Sequence, residues 1–250
     1  MSDLVTTDDL FFARAGLERS RVEGIVDDAL NGADDGELFL EYRQSESVVI
    51  DDGKIKSAAF DTAQGFGLRA VADEATGYAH ASELSEAALR RASDAVKAVH
   101  AGGTGAMAVD PSGTNVSLYA DDNPLGLVPF EDKVDLLTEM DTYARSRDER
   151  VKQVSASLSG EWQAVQILRA GGHRVADIRP LVRLSISVVV ERDGRMETGS
   201  FGTGGRTVYD TYLEPETWKT GVDEALRQAL VNLESVPAPA GEMPVVLGPG

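Results

Sequence analysis

Histidine and cysteine are the residues most often used to hold a catalytic metal, and this chain of 250 residues contains few of them. It has three histidines, His80, His100 and His173, and no cysteine. No two histidines stand four residues apart, so the HExxH spacing that places two zinc ligands on one helix face is absent. The lack of cysteine excludes disulfides, thiolate nucleophiles and Cys-based metal sites within the sequence. We therefore assign no catalytic and no metal-binding residue from the sequence.

Two glycine-rich patterns are candidates for ligand binding. The first, Gly65–Ala70, fits a loose GxGxxA dinucleotide pattern, but the residues after it predict strand, turn and strand where the pattern requires a helix. Close backbone packing is the better interpretation, and a nucleotide-dependent enzyme has little support. The second, Gly199–Gly205, predicts either a flexible loop whose backbone N–H groups, with Arg206, could bind an anion or a peptide carboxylate, or equally a flexible hairpin extension. The predicted substrate-binding residues are Gly202, Gly204, Gly205 and Arg206.

Hydrophobic residues with helical spacing predict the elements that would flank these patterns. Such spacing indicates helices over residues 20–31, 84–99, 130–144 and 215–233. Ser20 and Glu23 have the spacing of a capping box at the start of the first of these helices.

Apolar and polar residues that alternate with a period of two predict short strands joined by tight turns. The predicted turns are Asp52-Gly53, Asp73-Glu74, Ser159-Gly160 and Asp193-Gly194. Before the last turn, apolar residues from Val182 onwards alternate with Arg183, Ser185 and Ser187. Short connections favour antiparallel pairing, because a parallel crossover needs a dozen or more residues. Helices and hairpins occur in blocks, which predicts an α+β fold of curved antiparallel β-sheets with flanking helices.

The sequence divides into three parts. Residues 1–100 are predicted to form an N-terminal α+β subdomain, 101–128 a Gly/Pro-rich surface connection, and 129–250 a second α+β segment. The last apolar stretch, Pro244–Leu247, predicts a strand with no later strand to pair with. We therefore expect the second segment to lead into a further domain.

Composition and charge exclude several classes of function. The chain carries 42 acidic and 24 basic residues, for a formal net charge of −18. Direct nucleic-acid binding requires a basic face, so it is not expected. No apolar run approaches the roughly 20 residues that span a bilayer, and the N-terminus lacks a signal-peptide pattern. A cytoplasmic protein without membrane contact is predicted.

Three stretches resemble the N-terminal part of the TldD/PmbA metallopeptidases, and the TldD branch in particular. They are QGFGLRAVADEATGYAHAS at 64–82, RPLVRLSISVVVERDGRMETGSFGTGGR at 179–206, and ALVNLESVPAPAGEMPVVLGPG at 229–250. The resemblance covers essentially the whole chain. It implies a cytoplasmic zinc-dependent peptidase that works as a heterodimer with a TldE/PmbA-type partner on unfolded or modified peptides. The same family also carries an older label, modulator of DNA gyrase.

The resemblance also bears on the catalytic site. The family's HExxxH metal helix begins shortly after the segment that resembles MPVVLGPG, and its cysteine ligand lies much further on, so no residue of 1–250 inherits a metal-binding role. The expectation is a scaffold and partner-interface part that leads into a metal-binding C-terminal domain. It would be inactive alone and bind no zinc, although the full-length family member is a hydrolase. The alternative is a stand-alone, non-catalytic protein-interaction module.

Overall fold

Three of the predicted turns connect neighbouring strands in the computed structural model, which describes residues 3–98 and 118–248. Asp52, Asp73 and Asp193 have φ angles of 50°, 52° and 54°. Aspartate tolerates this left-handed region better than most residues, because its short side chain can hydrogen-bond locally. The strands are β1 (Asp35–Asp51), β2 (Lys54–Ala72), β3 (Ala75–Ala81), β4 (Val151–Leu168), β5 (Arg174–Arg192) and β6 (Arg195–Gly205). The three turns close the hairpins β1–β2, β2–β3 and β5–β6.

All six strands belong to one open antiparallel sheet with the order β3-β2-β1-β4-β5-β6. The α+β prediction is therefore confirmed. The helices are α1 (Asp3–Asp8), α2 (Arg19–Ala29), α3 (Glu86–Lys97), α4 (Phe130–Arg147), α5 (Asp210–Leu213) and α6 (Pro215–Leu233). A π-helical turn, Asp9–Ala13, follows α1, and a 3₁₀ turn, Ala170–Gly172, lies between β4 and β5.

The strands are longer than the sequence pattern predicts. The predicted turn at Ser159-Gly160 is wrong, because β4 runs through both residues without a break. Gly160 is required inside the strand: a Cβ there would lie 2.1 Å from the Tyr209 hydroxyl oxygen. The capping box at Ser20 is also wrong, since α2 begins at Arg19 and the Ser20 hydroxyl donates to the Glu18 carboxylate.

Two hydrophobic cores lie side by side under one face of the sheet. Alternate residues of β1 point to this face, and they contribute Leu38 and Leu40 to the first core and Val48 and Ile50 to the second. The helices α2 and α3 cover the first core, and α4 and α6 cover the second. The same strands therefore serve both cores.

A buried ion pair lies on this face at the edge of the second core. The Lys133 side chain of α4 is only 2% exposed and pairs with Glu46 of β1, whose side chain is 15% exposed. The Tyr209 hydroxyl donates to the same carboxylate over 2.7 Å, and the Lys133 ammonium lies 4.9 Å from the Tyr209 ring centroid. Burial and this acidic neighbour raise the pKa of Tyr209, so the phenol stays protonated.

The C-terminal segment differs from the prediction. Residues 244–247 form no strand, and the side chains of Val245, Val246 and Leu247 are 73%, 95% and 89% exposed. An apolar segment forms a strand only when a neighbouring edge supplies backbone hydrogen bonds, and no described strand pairs with this one. Most of the predicted connection, residues 101–117, lies outside the described residues. Within the described residues, no helix is both long and apolar enough to cross a membrane.

Candidate functional site on the open sheet face

The face of the sheet opposite the two cores carries small polar side chains. We call it the open face; it consists of the residues that alternate with the core-facing ones on β1, β2, β4, β5 and β6. Its serines are Ser45, Ser47, Ser57, Ser155, Ser157, Ser159, Ser185, Ser187 and Ser200. These serines offer hydroxyl donors and acceptors close to the backbone, beside larger side chains such as Arg43 and Glu161.

Two shallow depressions of about 280 Å³ each lie on the open face. One extends from Ala59 and Asp61 of β2 to Leu181 of β5. The other extends from Val49 of β1 to Gly202 of β6. Arg183 lines both depressions and is their common wall.

Arg183 is an exposed cation in the middle of this surface. Across the neighbouring strands it is paired with Ser159 of β4 and Gly204 of β6. Its Nε donates to the Ser185 hydroxyl over 3.2 Å, and its Nη2 lies 3.1 Å from where a Cβ of Gly202 would be. The guanidinium therefore lies beside Gly202 of β6, and the missing side chain at residue 202 makes room for it.

The predicted substrate-binding residues lie at this end of the open face. Gly202 and Gly204 are exposed and pair with Ser185 and Arg183, and Gly205 is the last residue of β6. Arg206 follows the strand, and its guanidinium lies 5.7 Å from the ring centroid of Tyr119. The structure thus places Gly202 and Gly204 beside Arg183, Gly205 at the end of the strand and Arg206 just beyond it.

Of the two alternatives for Gly199–Gly205, the loop is wrong and the hairpin extension is correct, because these residues belong to β6 and pair with β5. Gly199 explains why the segment is rich in glycine at its start: a Cβ there would lie 2.0 Å from the carbonyl oxygen of Ala225 and 2.5 Å from the amide nitrogen of Ala229. Glycine at this position lets α6 pack directly on the strand.

The rim of the open face near the β1–β2 turn is fixed by an acidic network. Asp51 accepts hydrogen bonds from the Ser155 hydroxyl at 2.6 Å and from Gln153 at 2.9 Å, and it pairs with Lys56 at 3.1 Å. The bond from Ser155, followed by those from Gln153 and Lys56, lowers the pKa of Asp51 to about 2. This carboxylate is therefore charged at neutral pH and already has partners.

The described residues do not fit a zinc site. His80 is exposed on β3 beside Tyr78, at 5.7 Å between ring centroids, and His173 is exposed in the turn before β5. His100 lies outside the described residues. Across residues 3–98 and 118–248, no three His, Cys, Asp or Glu side chains form a group that could hold a metal ion. No catalytic step is derived through a metal for this chain.

Arg183 is the residue that sequence reasoning missed. Its alternation with the buried Val182 and Leu184 already indicates a surface position on a strand. Arg183 forms no ion pair with another residue of 3–98 or 118–248, and this depends on which strands lie beside β5, which only the folded sheet shows.

Two family models match this chain. The model for PmbA/TldA metallopeptidase domain 1 matches residues 36–99, and the model for the PmbA/TldA metallopeptidase central domain matches residues 123–233. The chain belongs to the TldD/PmbA metallopeptidase family.

Curated relatives agree with this family assignment. The chain is 45% identical over 225 residues to a metalloprotease TldD homologue of Haemophilus influenzae, and 35% identical over 234 residues to one of Buchnera aphidicola. These matches cover 87% and 90% of the chain but only 46% and 48% of the relatives. The chain thus spans about half the length of these TldD homologues.

Solved structures show the same fold. A protein of Bacteroides thetaiotaomicron that carries the name of a modulator of DNA gyrase superposes with a TM-score of 0.69 over 85% of this chain and 49% of its own, at 17% identity. TldE of Thermococcus kodakarensis superposes with a TM-score of 0.53 over 84% of this chain and 47% of its own, also at 17% identity. The open six-stranded sheet with helices on one face is therefore a fold of the TldD/PmbA family.

Proposed function

We propose that this chain is the N-terminal scaffold and partner-interface part of a cytoplasmic TldD-type zinc metallopeptidase that cleaves unfolded or modified peptides. The observation that carries the proposal is the 45% identity to a TldD homologue over nearly the whole chain. The chain supplies a sheet that positions peptide and partner, and the metal chemistry belongs to another part of the enzyme. The net charge of −18 supports a role without direct nucleic-acid contact.

The open face is the proposed path of the peptide. Extended peptides bind through their backbone amides and carbonyls, and serine hydroxyls can both donate to and accept from these groups. We assign Gly202, Gly204, Gly205 and Arg206 to the end of this path, because they lie where β6 ends beside Arg183.

The outer edge of β2 is the proposed contact with a TldE/PmbA-type partner. β3 pairs only with Phe66–Ala72 of β2, so the edge from Lys54 to Gly65 has no strand neighbour among the described residues. This edge is about 40 Å long at 3.4 Å per residue. Phe60 and Ile55 on it are 59% and 51% exposed.

The opposite edge of the sheet is protected. On β6 the backbone N–H of Ser200 donates to Gln228 of α6, and the carbonyl of Thr198 accepts from Asn232. A long, unprotected strand edge with exposed apolar side chains favours pairing with a strand of another protein. This contrast between the two edges supports β2 as the partner surface.

Gel filtration and calorimetry with a purified TldE-type partner test this interface. The wild-type chain should form a stable complex, and Phe60→Asp should weaken it about 30-fold, since losing a central aromatic contact costs about 2 kcal/mol. The matched control is Met196→Asp on the opposite edge strand, where Met196 is 57% exposed. Separate elution of chain and partner, or equal weakening by both variants, would refute the interface.

A further inference from the structure

Arg183 stands out by its lack of an acidic partner. The chain is strongly acidic, and sixteen of its eighteen arginines form ion pairs within residues 3–98 and 118–248. The two that form none there are Arg183 and Arg206. Within the described residues, Arg206 lies over the Tyr119 ring, whereas the hydrogen-bond partner of Arg183 is the neutral Ser185 hydroxyl. Asp61 and Glu161 line one depression together with Arg183 but form no ion pair with it, so its guanidinium is available for an external anion.

The geometry leaves most of the guanidinium free to bind. An arginine has five N–H donors in a planar fork, and Ser185 takes only the one on Nε. The hydrogen bond to Ser185 orients the fork, and Gly202 leaves room beside it, since a Cβ there would lie 3.1 Å from Nη2. A fork held in this orientation matches the two oxygens of a carboxylate, which it can bind through two parallel hydrogen bonds.

The surroundings favour an extended peptide as the molecule that carries this carboxylate. Both depressions are lined by Arg183 and cross several strands: one runs from β5 over β4 and β1 to β2, and the other runs from β6 over β5 and β4 to β1. Ser159 and Ser187 on their walls can hydrogen-bond the peptide backbone. The net charge of −18 disfavours a polyanion such as nucleic acid, which would be repelled over a larger area than a single carboxylate.

We propose that Arg183 binds a carboxylate group of an extended peptide lying on the open face. The carboxylate comes either from the peptide's C-terminus or from an aspartate or glutamate side chain. This assignment rests on the proposed function in one respect, the peptidic nature of the ligand, and it adds the chemical group by which the peptide is held. Arg183 is a binding residue and takes no part in bond cleavage.

The test is an NMR titration of the full 250-residue chain that follows the side-chain Nε–H signal of Arg183. The probes are three acetylated five-residue Ala/Ser peptides: one with a free C-terminus, one amidated, and one amidated with a single internal glutamate. The free acid or the glutamate peptide should shift the signal, and the amidated peptide without glutamate should not. Comparison of the two acidic peptides identifies the source of the carboxylate.

Two substitutions and one control complete the experiment. Arg183→Gln should weaken binding of the acidic peptide about tenfold, and Arg183→Lys should give an intermediate loss, because it keeps the charge without the fork. The control is Arg227→Gln on α6, where Arg227 is 61% exposed and pairs with Glu224. It should leave binding unchanged.

Equal binding of acidic and amidated peptides, an unchanged affinity in Arg183→Gln, or no binding at millimolar peptide would overturn the proposal. The outcome is separable from that of the proposed function. Complex formation with the TldE-type partner uses the β2 edge and should be the same for Arg183→Gln as for the wild type. A chain that binds the partner but not the carboxylate therefore refutes only the role of Arg183.

Discussion

Replacing Lys133 by methionine tests how much the buried ion pair contributes to stability. Methionine fills a volume similar to that of lysine but removes the ammonium, so the Glu46 carboxylate stays buried with only the Tyr209 hydroxyl to compensate. Breaking a buried pair in this way costs about 3–5 kcal/mol. Because Tyr209 keeps its hydrogen bond of 2.7 Å and Glu46 is 15% exposed, we expect the lower end, about 3 kcal/mol.

The assay is urea unfolding at neutral pH, followed by circular dichroism, together with thermal unfolding. A loss of about 3 kcal/mol corresponds to a fall in Tm of about 6–12 °C for a domain of this size. The double variant Lys133→Met/Glu46→Gln removes the uncompensated charge and leaves the amide oxygen as an acceptor for Tyr209. It should recover at least half of the lost stability.

The control is Lys152→Met, whose partner Glu191 is 3.8 Å away and whose side chain is 52% exposed. Exposed pairs contribute about 0–1 kcal/mol, so this variant should stay near the wild type. If Lys133→Met costs no more than Lys152→Met, or if the double variant is as unstable as the single one, the account of the buried pair is wrong.

Three further predictions concern packing, acid sensitivity and metal. Gly199→Ala should lower the free energy of unfolding by about 1–3 kcal/mol in urea, since its methyl group would overlap the Ala225 carbonyl, and an unchanged midpoint would contradict this. The pKa of Asp51 falls from 3.8 to about 2 on folding, so the ionised carboxylate stabilises the folded state above pH 4, and this stabilisation is lost as the pH drops towards 2. The difference in urea midpoint between wild type and Asp51→Asn should therefore be largest at pH 7 and disappear near pH 2. A difference that does not change with pH would refute this role of Asp51. The dialysed chain should hold no stoichiometric zinc by metal analysis, because it has no cysteine and its three histidines are scattered; one zinc per chain would contradict the ligand argument.

The sequence predicts three of the four proposed turns and the fold class correctly, because both depend on local signals. Asp52-Gly53 and Asp193-Gly194 require backbone angles that few other residue pairs adopt, and the hairpins follow from them. Strand lengths were not predictable in the same way. The polar stretch around Glu46 interrupts the hydrophobic alternation of β1, because Glu46 faces the core and its charge is balanced by Lys133, 87 residues later in the chain.

The sequence singles out the glycines of β6 as a candidate site but leaves a flexible loop and a hairpin extension open, because a sequence cannot show that the packing of α6 requires Gly199. The proposed role of Arg183 depends on its forming no ion pair with another described residue, and its neighbours on β4 and β6 are fixed only by the pairing of strands distant in sequence. Whether Gly202, Gly204, Gly205 and Arg206 contact a peptide stays a prediction.

The pairing of β1 with β4 has a consequence for how this protein can be divided. The two strands are hydrogen-bonded from Leu38–Leu168 to Asp51–Ser155, so the two family-matched regions share one unbroken sheet. If the two regions separated, the edges of β1 and β4 that now pair with each other would be exposed. Two polypeptides made separately, one ending before and one starting after the connection at 101–128, should therefore bind to each other and restore the sheet, as in fragment complementation.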